Sequence, residues 1–223
     1  MATLLDTELN KLKNAILKIA ALAEAQVLEA VKSLVSGTEK DTKGELKKTE
    51  DKIDKLDLKI DSICQTVFAL QQPVASDLRF IMSAMQISNE IERIGDLAIS
   101  IIKRSGDINL QYEFIDLANI PEIASEVQNG ISKTNQCLQT VDDDTLSDIF
   151  ATNLRIEEKS LLAISRIVDE MQRNPQTVKA GTSLIIVVKH LERISEHCTN
   201  IGEALYFMIH ARSIKHEKFE ERR

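Results

Sequence analysis

Proline and glycine are scarce, three and seven in 223 residues, so little interrupts the chain and its elements should be long. Cysteine is scarce too. Cys64, Cys137 and Cys198 are scattered, odd in number and form no C-x-x-C pair, a usage that fits a reducing cytoplasm with each thiol as a small core hydrophobe. Positive charge is not in excess: the formal net charge is −7 and the pI about 5.2, which offers no electrostatic footprint for nucleic acid. The longest uncharged run, Ser62 to Ser76, contains a proline and falls short of the roughly 20 apolar residues of a membrane span. The opening MATLLDTELNKL lacks the basic and apolar regions of a signal peptide, so a cytoplasmic location is expected. No Gly-rich phosphate loop, G-x-x-x-x-G-K motif or evident nucleophile–base pair is present.

What the chain does have is helical periodicity. No convincing period-2 segment occurs, and apolar residues step by three and four throughout. Leu5, Leu9, Leu12, Ile16, Ile19, Ala23, Val27, Ala30 and Leu34 predict a first helix ending near Gly37. Ile53, Leu56, Ile60, Ile63, Val67 and Leu70 predict a second, ending before Pro73 because the residue preceding proline disfavours the α region. A third is predicted from about Ala75 to Arg104, stopping at Ser105-Gly106, with DINLQYEFIDLANIP as linker. After Pro121 a fourth carries Ile123, Val127, Ile131 and Leu138, and VDDDT then forms a turn with Asp144 as N-cap. The fifth carries Leu146, Phe150, Asn153, Glu157, Ser160, Ile164, Ile167 and Met171. Asn174-Pro175 breaks it, and a sixth follows to about Ile214.

The two halves match. IERIGDLAISI from Ile91 aligns with LERISEHCTNI from Leu191, an offset of 100, and EDKID from Glu50 aligns with NLRIE from Asn153, an offset of 103. The expectation is an all-α protein of six long antiparallel helices, arranged as two tandem three-helix bundles over residues 1–108 and 117–215.

Carboxylates interrupt the apolar pattern. Glu92 and Asp96 share a face with Leu78, Ile81, Met85 and Ile99; Glu192, Glu196 and Glu203 share one with Ile185, Val188, Thr199 and Tyr206. Glu157 lies within the fifth helix's stripe, and Glu50, Asp54, Asp57 and Asp61 form a row beside that of the second. Acids at i and i+4 repel unless offset, and each buried ionised carboxylate costs several kcal/mol. A solvated face, or an ion-pair row with Lys52, Lys55 and Lys59 or with Arg79, Arg93 or Arg193 folded across, is the bland account. Oxygen ligands from several helices, suited to iron, manganese, magnesium or calcium, are the sharper one. His190 and His197 lie far round the sixth helix from Glu192, and His197 reads as a packing or hydrogen-bonding residue.

QQPVASDLRFIMSAMQISNEIERIGDLAISI resembles the first repeat of PhoU proteins, with its P-x-A-x-D-L-R entry and E-R-I-G-D turn. LERISEHCTNIGEALYFM resembles the second-repeat counterpart, and EDKIDKL the acidic motif on the middle helix of repeat one; the likeness runs from Leu5 to about Arg212. It implies a cytoplasmic negative regulator of phosphate acquisition and not an enzyme. Such a protein restrains a phosphate ABC transporter through its ATPase, and a phosphate-responsive histidine kinase. It is a homodimer that reaches the membrane only through these partners. It also implies multinuclear iron or zinc, other divalent cations remaining open, with Glu50, Asp54, Glu92, Asp96, Glu157, Glu192 and Glu196 as ligand candidates. Asn153 stands where an acid is common, and Glu157 and Glu196 replace the usual Asp, which weakens the second cluster.

Two competitors remain. A carboxylate-bridged di-iron or di-manganese oxidoreductase needs Glu-x-x-His pairs, whereas Val187, Ile194, Phe207 and Ser213 stand three residues before His190, His197, His210 and His216. A helical scaffold whose acids bind basic partners without metal differs from the metal reading only in metal content.

Overall fold

A computed structural model describes residues 3–36, 39–108, 112–140 and 142–215. Gly37, Val141 and His216 lie outside them. The described residues form helices and no strand. These are α1 (Leu4–Ser36), α2 (Glu39–Leu70), α3 (Ala75–Ile108), α4 (Tyr112–Leu117), α5 (Ile120–Thr140), α6 (Asp143–Arg173) and α7 (Val178–His210), with a 3₁₀ turn at Pro175–Thr177.

The ends follow local chemistry. Thr3 and Asp6 close a reciprocal cap on α1: Asp6 N–H donates to Thr3 Oγ1 at 3.1 Å and Thr3 N–H to Asp6 Oδ2 at 2.8 Å. Asp142, not the expected Asp144, caps α6, accepting from Thr145 N–H at 2.8 Å. Of three consecutive aspartates, only the one with extended backbone (φ −120°, ψ 146°) is placed to do so. The linker condenses into the short α4. α3 passes the expected stop and runs two residues beyond Gly106, because burial of Ile108 (2% exposed) outweighs the roughly 1 kcal/mol that glycine costs a helix. α7 stops at His210, short of Ile214. Ala211 adopts the left-handed conformation (φ 55°) and donates to Phe207 O at 2.9 Å. Ile214 is nevertheless fully buried, supplied by the chain after the helix.

α1, α2 and α3 pack as one three-helix bundle, α5, α6 and α7 as a second. A single aliphatic core runs through both, and Leu12, Ile19, Ile53, Ile60, Ile91, Ile101, Ile123 and Ile149 are among its fully buried members. Each such side chain contributes about 1.5–3 kcal/mol. The three thiols belong to this core, and burial pushes them up to about 12 at Cys64, 11 at Cys137 and 12 at Cys198.

The bundles join along α3 and α7, with α1 against α5 beside them. Residue 83 faces 204, residue 90 faces 197 and residue 107 faces 179, so α3 and α7 run antiparallel. Along this seam Ser83 Oγ donates to Ala204 O at 3.0 Å and Lys179 pairs with Asp107 at 2.9 Å. Glu90 Oε2 lies 2.6 Å from His197 Nδ1 and accepts from Asn200 Nδ2 at 3.0 Å. His197 is thus the hydrogen-bonding residue expected. Asn135 bridges α5 to α1 through Ala20 O and Glu24 Oε2.

Candidate functional site

Glu92 and Asp96 lie one turn apart on α3. The stripe holding them is not the core face but its flank: Leu78 and Asp96 are exposed and Met85, Glu92 and Ile99 half-buried, while Ile81, Ile91, Ile94 and Ala98 turn inward. That position lowers the desolvation cost without removing it. α2 lies alongside and brings Glu50, Asp54 and Asp57 to the same groove.

Close approach here depends on Gly95. A Cβ at this position would stand 3.0 Å from Glu50 Oε2, 3.2 Å from Ile53 Cδ1 and 3.4 Å from Gln26 Oε1. From α1 beneath, Gln26 Nε2 donates to Glu50 Oε2 at 2.6 Å, and from α3 Ser88 Oγ donates to Asp57 Oδ1 at 2.6 Å. Burial is the largest influence on Glu50 and, with Asp96 and Asp54 nearby, pushes its carboxyl up to about 7 against the lowering effect of Gln26. Asp54 is raised by burial, then by Asp96, Asp51 and Asp57; Glu92 by burial, then by Asp96. The acids of this repeat therefore act on one another across the groove.

Counter-charge is thin. Of the three arginines considered, only Arg93 comes near, 3.5 Å from both Glu92 and Asp96 and itself more than half exposed. A pair of that length and exposure is worth little. Asp54 has neither a hydrogen bond nor an ion pair among the described residues. No group of three or more His, Cys, Asp or Glu side chains is already drawn together around one metal position among the described residues.

The second repeat differs. Glu192 Oε1 pairs with Lys189 at 2.5 Å, while its Oε2 is buried without a partner. Glu196 and Glu157 are exposed; the latter lies outside the buried face of α6 that Ile156, Ser160, Ala163 and Ile167 form. Asn153, half-buried, stands in the place of Glu50, and Ser195 in that of Gly95. Two basic residues of α6 meet acids of α5. Lys159 pairs with Glu122 at 2.7 Å and Glu126 at 2.9 Å, and Arg155 lies 3.6 Å from Glu126. These cations hold the Glu122 and Glu126 carboxyls below the usual range. Ser160, equivalent to Asp57, leaves its hydroxyl unpartnered because Val188 replaces Ser88.

Of the seven candidates, Glu50, Asp54, Glu92 and Asp96 share one groove, and Glu157, Glu192 and Glu196 do not reproduce it. Sequence reasoning missed Gln26. Its signal was present: it steps by three from Ala23 and by four to Ala30, an amide in a buried aliphatic face. In donor chemistry, carboxylates plus an amide oxygen suit a hard divalent cation better than zinc, which favours nitrogen and sulfur.

The PhoU domain profile matches residues 16–105 and 120–205. The phosphate-specific transport system accessory protein PhoU homolog of Pseudomonas putida is 26% identical over 212 residues, covering 95% of this chain and 82% of that protein. The homolog from Caulobacter vibrioides is 31% identical over 142 residues, 63% of this chain and 62% of the relative. The crystal structure of PhoU from Pseudomonas aeruginosa superposes with a TM-score of 0.85 at 25% identity over 93% of this chain and 99% of that one. That of the phosphate transport system regulatory protein PhoU from Streptococcus pneumoniae gives 0.84 at 20% identity over 95% and 99%.

Proposed function

The chain belongs to the PhoU family, and from that premise we propose that it is a regulatory accessory protein of a phosphate transport system. The observation carrying this reading is the matched pair of PhoU repeats over residues 16–105 and 120–205. In it, the chain restrains phosphate uptake and the starvation response by contacting the ATPase of a phosphate ABC transporter and a phosphate-sensing histidine kinase, as a homodimer in the cytoplasm. No described helix is long and apolar enough to cross a membrane, so an approach to the bilayer would run through such partners. The protein acts by presenting surfaces, not by turning over a substrate.

Within this reading the first-repeat groove holds a divalent cation through Glu50, Asp54, Glu92 and Asp96. Bound there, the cation would supply the positive charge that offsets the mutual repulsion of these acids. Their rotamers must then close from the observed arrangement, a fast motion for the exposed Asp54 and Asp96. Since α3 carries both Glu92 and the seam residue Glu90, drawing α2 against α3 bears on the relation of the two bundles. Glu192, Glu196 and Glu157 would form a second, poorer cluster that lacks the acid at Asn153. The open arrangement of the acids supports a second reading, in which the same groove receives a basic segment of a partner and no metal.

The test is genetic. Deleting the gene should make alkaline phosphatase constitutive in high phosphate, and the intact gene should restore repression. Repression left unchanged by the deletion would overturn the regulatory reading. The doubly substituted E92A/D96A protein should fail to complement; full complementation with unaltered metal content would remove the groove from the mechanism.

A further inference from the structure

Beneath the first-repeat acids lies a side chain that the reading above leaves without a task. Gln26 is 1% exposed, enclosed where α1, α2 and α3 meet. With Glu50 ionised the amide can face it only through nitrogen, since its oxygen would oppose a carboxylate. Nε2 accordingly donates to Glu50 Oε2 at 2.6 Å, and Oε1 is left buried with no partner. Native proteins seldom leave a buried amide oxygen unsatisfied, and an ordered water or an ion is what usually satisfies it. This oxygen and Glu50 Oε2 flank the notch at Gly95, which a Cβ would fill. Ser195 at the equivalent position of the second repeat removes the notch, and Asn153 removes the carboxylate.

We propose, resting on the cation reading of the groove, that Gln26 is the buried member of the first-repeat site. Its N–H positions Glu50, and its orphaned carbonyl oxygen is the neutral donor of an all-oxygen site for a hard divalent cation of the calcium type. Calcium takes six to eight oxygens and accepts amide carbonyls among them, whereas magnesium keeps several waters and needs fewer protein donors. Four carboxylates and one amide on flexible side chains match the former demand. Zinc gains little from an amide oxygen. The second repeat, with no buried amide over a notch among the described residues, is not a site of this kind.

Calorimetric titration of the full chain with calcium chloride, and separately with zinc chloride, tests the assignment. Gln26→Met, which keeps the length of the side chain and removes both polar atoms, should weaken calcium binding about tenfold and move zinc binding much less. Asp96→Asn should weaken both ions. Should Gln26→Met melt early by circular dichroism, Gln26→Asn, which withdraws the amide by one methylene, should show the same calcium-selective loss. Equal losses for the two ions in the Gln26 variants would reduce the residue to packing and overturn the proposal, as would no loss at all. If calcium binds and only Asp96→Asn disturbs it, the groove stands and Gln26 falls. If the wild-type chain binds neither ion, both fall.

Discussion

Ile53 and Ile156 occupy the same place in the two repeats, and both are fully buried. Three residues earlier, Glu50 and Asn153 also occupy one place, yet one is a carboxyl pushed up to about 7 and the other a neutral amide. Close packing of helices tolerates little change in shape, so the inward faces have stayed alike. The outward flanks carry no such constraint. In the first repeat they gather acids raised by burial and by one another; in the second, Lys159 and Arg155 meet Glu122 and Glu126, Lys189 meets Glu192, and Glu157 and Glu196 stand exposed. The same architecture gathers four acids along one groove in the first repeat and leaves the corresponding acids apart in the second.

The likeness is broken most severely through the core. Ile53→Ala and Ile156→Ala should each cost about 2–5 kcal/mol in urea unfolding, because both sites are enclosed and collapse poorly. If one were to cost several times the other, the two cores would not be equivalent.

The difference is sharpened by Glu50→Gln. With a native pKa of about 7 against 4.5 for the ordinary side chain, the folded protein holds this proton more tightly than the unfolded chain. Glu50 therefore lowers stability as pH rises from about 4.5 through about 7, and no further beyond. The substituted protein should match wild type at pH 4 and exceed it by about 1–3 kcal/mol at pH 8. Parallel pH profiles for the two proteins would refute the account of a repulsive first repeat.

The smallest effect belongs to the second repeat. Lys159→Gln removes two pairs, one to the exposed Glu122 and one to the half-buried Glu126, and should cost less than about 1 kcal/mol, shrinking as salt is added. A loss above about 1 kcal/mol that salt does not diminish would mean that Lys159 is structural and not a surface counter-charge.

Much of the architecture was legible because helix faces are written as steps of three and four, and because two segments repeat at offsets of 100 and 103. Ends were harder. Three adjacent aspartates compete for one cap, and Ile214 looks the same to a periodicity argument whether a helix or a returning tail buries it. α4 is too short to show a period. The site was half legible: Glu92 with Asp96 and Glu50 with Asp54 announce themselves by spacing within one helix. That Gly95 admits Glu50 to within reach of Gln26 is a fact about three helices meeting, and no spacing along any one of them contains it. Glu157 lies beside the buried stripe and not within it for a smaller reason, since one residue is 100° of helix and separates the buried Ile156 from solvent.

The three enclosed thiols give the molecule an internal clock. Thiolate is the reactive form, and at Cys64 in the first bundle and Cys137 and Cys198 in the second it is suppressed by burial. Alkylation must therefore wait for the helix around each sulfur to open, so the order in which the three are labelled records which half of the protein breathes first.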